Sequence, residues 1–189
     1  MVKKKACIFI SGKGTNLKTL IKNSNTYNFP ISIDYIVSNT KEAGGLFFAN
    51  LYKIDFGVFN LKIKLEQEKL LRELKKRNIF LICLAGYMRV LSKSFIKRFQ
   101  GKIINIHPSL LPKYKGLNTF SKVLNSNDKF TGCTVHYVNE KLDSGKIILK
   151  KKVSILQNDD AKSLKIKVQK KEYIAYSEAI IRIFNWFSL

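Results

Sequence analysis

The chain is poor in the residues that define several classes of protein. Its 189 residues include three Cys, three Pro, two His and ten Gly. So little Pro and Gly excludes a collagen-like or linker-rich architecture. Cys7, Cys83 and Cys133 are odd in number, far apart, and each set in an apolar stretch. They read as small buried residues, not as a disulfide frame or a zinc site. Two His among scattered Cys offer no metal-ligand spacing, so no metal is expected. The longest uncharged apolar run, Ile79 to Met88, is far short of the about 20 residues that a membrane span needs. Behind the basic start Met1-Val2-Lys3-Lys4-Lys5, the apolar run Ala6 to Ile10 is too short for a secretory signal. The expectation is a cytoplasmic protein with no membrane partner.

Acids and arginines are scarce too. Thirteen Asp and Glu stand against 35 Lys and Arg, giving a formal charge of +22, and only five of the basic residues are Arg. A field of that sign attracts polyanions and phosphorylated ligands. Nucleic-acid readers, however, use Arg for bidentate contacts and cluster their charge on one element. Here the lysines run from end to end beside fifteen Asn. A solvated Lys-rich surface is the reading preferred over a nucleic-acid partner.

What is present is a core. Apolar side chains make up 46% of the chain, enough at this length for one domain over residues 1–189. Apolar runs alternate with helical spacing. Strands are expected over Ala6–Ser11, Ile31–Ser38, Phe56–Phe59, Ile79–Ala85, Ile103–His107, Thr131–Asn139 and Ile147–Val153. Helices are expected after Asn16 and over Ala43–Leu51, Leu65–Arg77 (with Leu65, Leu70, Leu71 and Leu74 on one side), Ser92–Phe99 with Ser92 as N-cap, and Thr119–Ser126. A last helix is expected from about Asp160 to Phe187, its stripe formed by Leu164, Val168, Ile174, Ile181 and Phe184. Strand-helix alternation implies an α/β, doubly wound, mostly parallel sheet with flanking helices, whose ligands sit beyond the carboxyl ends of the strands.

Three segments can carry chemistry. Ser11-Gly12-Lys13-Gly14-Thr15-Asn16 follows the first strand and opens the first helix, where backbone N–H groups favour an anion. It is neither a dinucleotide fingerprint, since position 17 is Leu17, nor a P-loop. A mononucleotide or sugar-phosphate cradle and a tight turn without ligand both remain. Asn105 and His107 lie two apart at the end of the fifth strand and so share a side. An amide beside an imidazole can stabilise an oxyanion and move a proton, although a lone His is often satisfied in a core. His136, mid-strand, reads as packing or support. Asp143 is either an Asx-turn residue or, if it reaches His107, a carboxylate that raises the imidazole pKa and keeps an imidazolium available near neutral pH.

Taken together, these segments resemble a family. The runs are Ser11 to Leu17, Leu84-Ala85-Gly86-Tyr87-Met88-Arg89-Val90-Leu91, Asn105-Ile106-His107-Pro108-Ser109-Leu110-Leu111-Pro112, Thr131 to Val138, and Asp143-Ser144-Gly145-Lys146-Ile147-Ile148. In order and spacing they are similar to the phosphoribosylglycinamide formyltransferases, folate-dependent enzymes of purine biosynthesis. The resemblance implies transfer of the formyl group of 10-formyltetrahydrofolate, as co-substrate, to the amine of glycinamide ribonucleotide, through a tetrahedral intermediate. By the same resemblance Asn105 and protonated His107 stabilise the oxyanion, and Asp143 holds His107 charged and helps move a proton through water. Gly14, Thr15 and Asn16 cradle the phosphate, with Glu172 at the ribose–phosphate side. Met88, Arg89, Val90 and Leu91, with Asn139, Glu140 and Leu142, line the pterin pocket largely through backbone groups. A monomer or homodimer is expected.

The chain departs from the family at several positions. Ile63 falls about where an Arg often meets folate, Phe120 where a His is common, and Tyr173 and Ser177 where a His and a Pro are frequent. The end at Leu189 also falls short of the usual length. Other folate-dependent formyl enzymes share part of this pattern. A methionyl-tRNA formyltransferase would be expected to carry an appended tRNA-binding domain, and a formyltetrahydrofolate deformylase an extra N-terminal one. A nucleic-acid-binding module on a decayed formyltransferase fold is disfavoured by the intact Asn105, His107 and Asp143.

Overall fold

The computed structural model describes residues 2–185. Among the described residues are seven strands: β1 (Lys4–Ile10), β2 (Ile31–Ser38), β3 (Phe56–Val58), β4 (Leu81–Leu84), β5 (Lys102–His107), β6 (Phe130–Tyr137) and β7 (Ile147–Ser154). The helices are α1 (Thr15–Ser24), α2 (Leu46–Leu51), α3 (Lys64–Lys76), α4 (Lys93–Arg98), α5 (Thr119–Leu124) and α6 (Ala161–Asn185). The strands form one sheet in the order β3-β2-β1-β4-β5-β6-β7, the mostly parallel α/β sheet that the alternation predicts. The chain falls into two compact units, one up to Ile104 and one from Asn105 onward. Among the described residues no helix is long and apolar enough to cross a membrane.

In the first unit β1 is the spine. Ala6 to Ile10 are all fully buried, so both faces of the strand are covered, which explains a continuous apolar run in place of an alternating one. β1 runs parallel to β2 on one side and to β4 on the other, and β2 runs parallel to β3. Strand order therefore reverses between β1 and β4, where open α/β sheets form a crevice beyond their carboxyl ends. Ser92 caps α4 as expected, its hydroxyl accepting from the Phe95 amide. At the opposite strand ends, Arg77 donates to Glu73 at 2.6 Å and Asp55 at 2.9 Å and stacks 4.4 Å over the Tyr35 ring.

In the second unit β6 and β7 pair antiparallel, from Phe130 opposite Ser154 to His136 opposite Ile147. The long helix α6 packs on both.

Three details differ from the sequence expectation. The second helix starts at Leu46, not Ala43, because Gly44 and Gly45 belong to a turn whose Gly45 amide donates to the Gly12 carbonyl at 2.9 Å. Leu65 is exposed at the start of α3, leaving Leu70 and Leu74 as its buried side. On α6 the buried stripe continues from Leu164 and Val168 through Ala175, Tyr176, Ala179, Ile180 and Ile183, while Ile174 and Ile181 are exposed. Trp186 and Phe187, expected at the end of this helix, lie outside the described residues.

Candidate active site

The second unit gathers four polar side chains that an apolar core would not hold without partners. Asn105 and His107 come from the end of β5, His136 from β6, and Asp143 from the connection between β6 and β7. His107, His136 and Asp143 are buried, at 5%, 2% and 8% exposure. Asp143 Oδ2 lies 3.3 Å from His107 Nδ1 and accepts from the Gly116 amide at 2.9 Å. His107 Nε2 meets the Tyr114 carbonyl at 2.8 Å. His136 Nδ1 faces the Tyr137 carbonyl at 2.9 Å and must carry a hydrogen there. Its Nε2 faces two groups, the Asn105 amide nitrogen at 3.3 Å and Asp143 Oδ1 at 3.6 Å. An amide nitrogen carries two hydrogens, and this contact uses one.

Local backbone explains how the group is held. Thr134 Oγ1 donates to the Ser109 carbonyl at 2.7 Å and accepts from the Leu111 amide at 3.0 Å, pinning the segment after β5 to β6. Ser109 Oγ donates to the Lys113 carbonyl at 2.6 Å, and the Leu111–Pro112 peptide is cis. Asp143 itself has φ +46°, a conformation unfavourable for a residue with a Cβ. Gly145 is required by close approach, since a Cβ there would lie 1.7 Å from the Tyr137 carbonyl oxygen.

Both ring nitrogens of His107 face acceptors, an arrangement whose two hydrogen bonds only the imidazolium can make together. Burial pushes the His107 pKa below its ordinary value, and the Tyr114 carbonyl and the Asp143 carboxylate pull against that without reversing it. The expected net rise is therefore corrected: Asp143 reaches His107 and acts in the predicted direction, but desolvation is larger. For Asp143, burial acts upward, and contacts with His136, the Gly116 amide and His107 outweigh it, holding the carboxyl below its ordinary value. The carboxylate is thus charged at neutral pH and ready to favour a proton on the imidazole.

The first unit supplies a different kind of surface. Gly14, at φ +70°, precedes α1 without a side-chain cap, and the first turn of that helix holds no acid. A Cβ on Gly14 would sit 2.5 Å from the Cα of Gly45, so the two glycines permit a close backbone approach. Thr15 and Asn16 open the helix, Asn16 almost buried. Beyond β4, residues 85–91 form no regular structure. Tyr87 and Leu91 are buried, while Met88 and Val90 are 65% and 77% exposed and Arg89 is exposed. Ile63 stands extended immediately before α3, about half exposed.

The remaining candidates lie in the second unit. Asn139 Oδ1 accepts from the Lys141 amide and from Ser144 Oγ, both at 3.0 Å, so its side chain shapes the loop. Glu140 and Leu142 are exposed on that loop. Glu172 lies on α6, where its charge acts on the Cys133 thiol. The groups that sequence reasoning missed are mostly backbone: the Tyr114 carbonyl and the Gly116 amide carry no side-chain signal. The Gly44-Gly45 doublet before an apolar run was a readable sign of close approach.

The chain is similar to known proteins over most of its length. Residues 4–180 match the family described as formyl transferase. A phosphoribosylglycinamide formyltransferase of Haemophilus influenzae is 40% identical, the alignment covering 98% of this chain and 87% of that protein. The crystal structure of a phosphoribosylglycinamide formyltransferase from Brucella melitensis superposes with a TM-score of 0.90 at 39% identity over 96% of each chain. The corresponding structure from Anaplasma phagocytophilum gives 0.89 at 37% identity, covering 95% of this chain and 85% of that one.

Proposed function

This chain belongs to the phosphoribosylglycinamide formyltransferases of the formyl transferase family, and we propose that its polar cluster carries out formyl transfer to the amine of glycinamide ribonucleotide, with 10-formyltetrahydrofolate as the donor. The observation that carries the reading is the buried set of His107, His136 and Asp143 with half-buried Asn105 beside it, an amide, two imidazoles and a charged carboxylate linked through the approach of His136 Nε2 to Asp143 Oδ1 at 3.6 Å. The donor supplies an electrophilic formyl carbon, and the amine supplies the nucleophile.

Each residue then has a distinct task. Asn105 offers its second amide hydrogen to the developing oxyanion, where a preorganised donor is worth most. His107 adds the positive charge of an imidazolium nearby, its two N–H groups being directed to Asp143 and the Tyr114 carbonyl. The imidazolium is disfavoured by burial until negative charge develops beside it, so the interaction strengthens in the transition state. Asp143 keeps that proton on His107 and passes the amine proton through water toward the leaving folate nitrogen. His136 holds Asn105 in orientation. Gly14, Thr15 and Asn16 take the substrate phosphate at the start of α1, with Glu172 at its ribose side. Met88–Leu91, Asn139, Glu140 and Leu142 take the pterin, mainly through backbone groups.

An absorbance assay with 10-formyltetrahydrofolate, with and without glycinamide ribonucleotide, tests this. Turnover that requires the amine supports the reading. Equal folate release without the amine replaces it with a deformylase, and no turnover in either arm removes it.

A further inference from the structure

The crevice between β1 and β4 is spanned by one side chain. Ser11 follows β1 directly and leads into the Gly12–Asn16 turn, and its hydroxyl donates to Asn39 Oδ1, just beyond the end of β2. The same oxygen accepts from the amide of Met88 at 2.8 Å, beyond the end of β4. A single hydroxyl therefore joins three neighbouring strand ends at the point where strand order reverses.

The Met88 end of this bridge is the informative one. Residues 85–91 have no helix or strand to hold them. Their start is fixed by the Ala85 amide, which donates to the Phe9 carbonyl at 2.9 Å. Gly86 then turns at φ +74°, and Tyr87 packs edge-on against Phe9 with ring centroids 5.4 Å apart. The next residue, Met88, is 65% exposed, so packing does not fix its backbone. Its amide is held by Ser11. Met88 and Val90 are exposed, and between buried Tyr87 and buried Leu91 the Met88 amide is anchored by that hydrogen bond. Asn39 supplies the second half of the arrangement. By accepting the hydroxyl hydrogen it leaves the serine oxygen with a lone pair turned toward Met88.

We propose that Ser11 is a positioning residue for the folate-binding segment Met88–Leu91, acting through the Met88 amide with Asn39 fixing its hydroxyl. This rests on the functional reading above, and it adds a residue that lies in the phosphate-side turn but serves the other substrate.

The test uses the full chain and two ligands, tetrahydrofolate and glycinamide ribonucleotide, each titrated to a Kd, alongside steady-state kinetics. Losing a hydrogen bond of ordinary strength gives roughly a three- to tenfold effect. Ser11→Ala is expected to weaken tetrahydrofolate and raise the KM for 10-formyltetrahydrofolate by about that factor. It should leave kcat at saturation and the Kd of glycinamide ribonucleotide within about twofold. Hydrogen exchange at the Met88 amide should quicken. Ser11→Thr, which keeps the hydroxyl, should restore most of the folate affinity. Asn39→Ala, which leaves Ser11 in place, should shift folate affinity in the same direction and carries the test if Ser11→Ala does not fold. Unchanged folate binding in both alanine variants overturns the proposal. So does equal weakening of both ligands with a lowered Tm, since that is general loosening. A wild-type protein that binds no tetrahydrofolate fails in its own arm and takes down the functional reading, and this proposal with it.

Discussion

Residues 105–145 and the turns after β1 and β4 prepare for ligands in opposite ways. In the first region the working groups are side chains, buried or, for Asn105, half-buried, and tied to each other. Asp143 touches His107 and Gly116, and His136 touches Asn105. Each partner is already desolvated, so removing one strands another. In the second region the surfaces are backbone groups around Gly14 and residues 88–91, with exposed side chains beside them. There an exposed side chain can be lost with little consequence, whereas a side chain that holds the backbone, as Ser11 holds the Met88 amide, matters through the shape it sets. Chemistry is placed where geometry is over-determined, and recognition where shape alone suffices.

The sharpest way to break this contrast is at the imidazole. His107→Ala should lower kcat by about 10²–10⁴ with substrate Kd values largely kept, because the group acts on the transition state. Near-normal turnover by steady-state assay would end the mechanism. Asp143→Asn comes next, with a loss of about 10² in kcat. The carboxylate pulls the His107 pKa upward against burial, so its loss lets that pKa fall further. Less imidazolium then exists at any given pH, and the descending limb of the pH–rate profile should move to lower pH. A limb that stays in place would show that Asp143 does not act through His107.

Smaller effects belong to the first unit. Gly14→Ala meets both a positive φ and a Cβ 2.5 Å from Gly45, so glycinamide ribonucleotide should bind about tenfold more weakly, with kcat at saturation less affected. A binding titration that shows no change would leave the phosphate cradle without support. Arg89→Ala should be the mildest, raising the folate KM less than about threefold, since the segment is read as working through its backbone. A large loss there would erase the distinction between the two regions.

Much of this was legible in the residues, for reasons that differ by element. β1 could be read because Ala6–Ile10 is apolar without interruption, and α4 because Ser92 is an N-cap. The pair Asn105 and His107 could be read because strand alternation fixes side. What could not be read was any balance between opposing effects. The contact of Asp143 with His107 spans 36 residues of sequence, and whether burial or charge governs the imidazole depends on packing that no motif records. The stripe of α6 slipped to Ala175 and Ala179 for a similar reason: helical spacing admits neighbouring stripes, and the approach of the sheet decides between them.

Among the described residues β7, one of the two edge strands of the sheet with β3, carries Lys150, Lys151 and Lys152 in succession. An outer strand is an open template on which a second chain can add itself, the first step toward aggregation. In a molecule of charge +22, two such margins meet as like charges. Crowding alone should then not join them, even with Lys151 paired to Glu178 at 2.7 Å, so the charge that invites a nucleic-acid reading would also oppose self-assembly. Added salt, by shortening the reach of that repulsion, is the condition under which light scattering should first detect association through this edge.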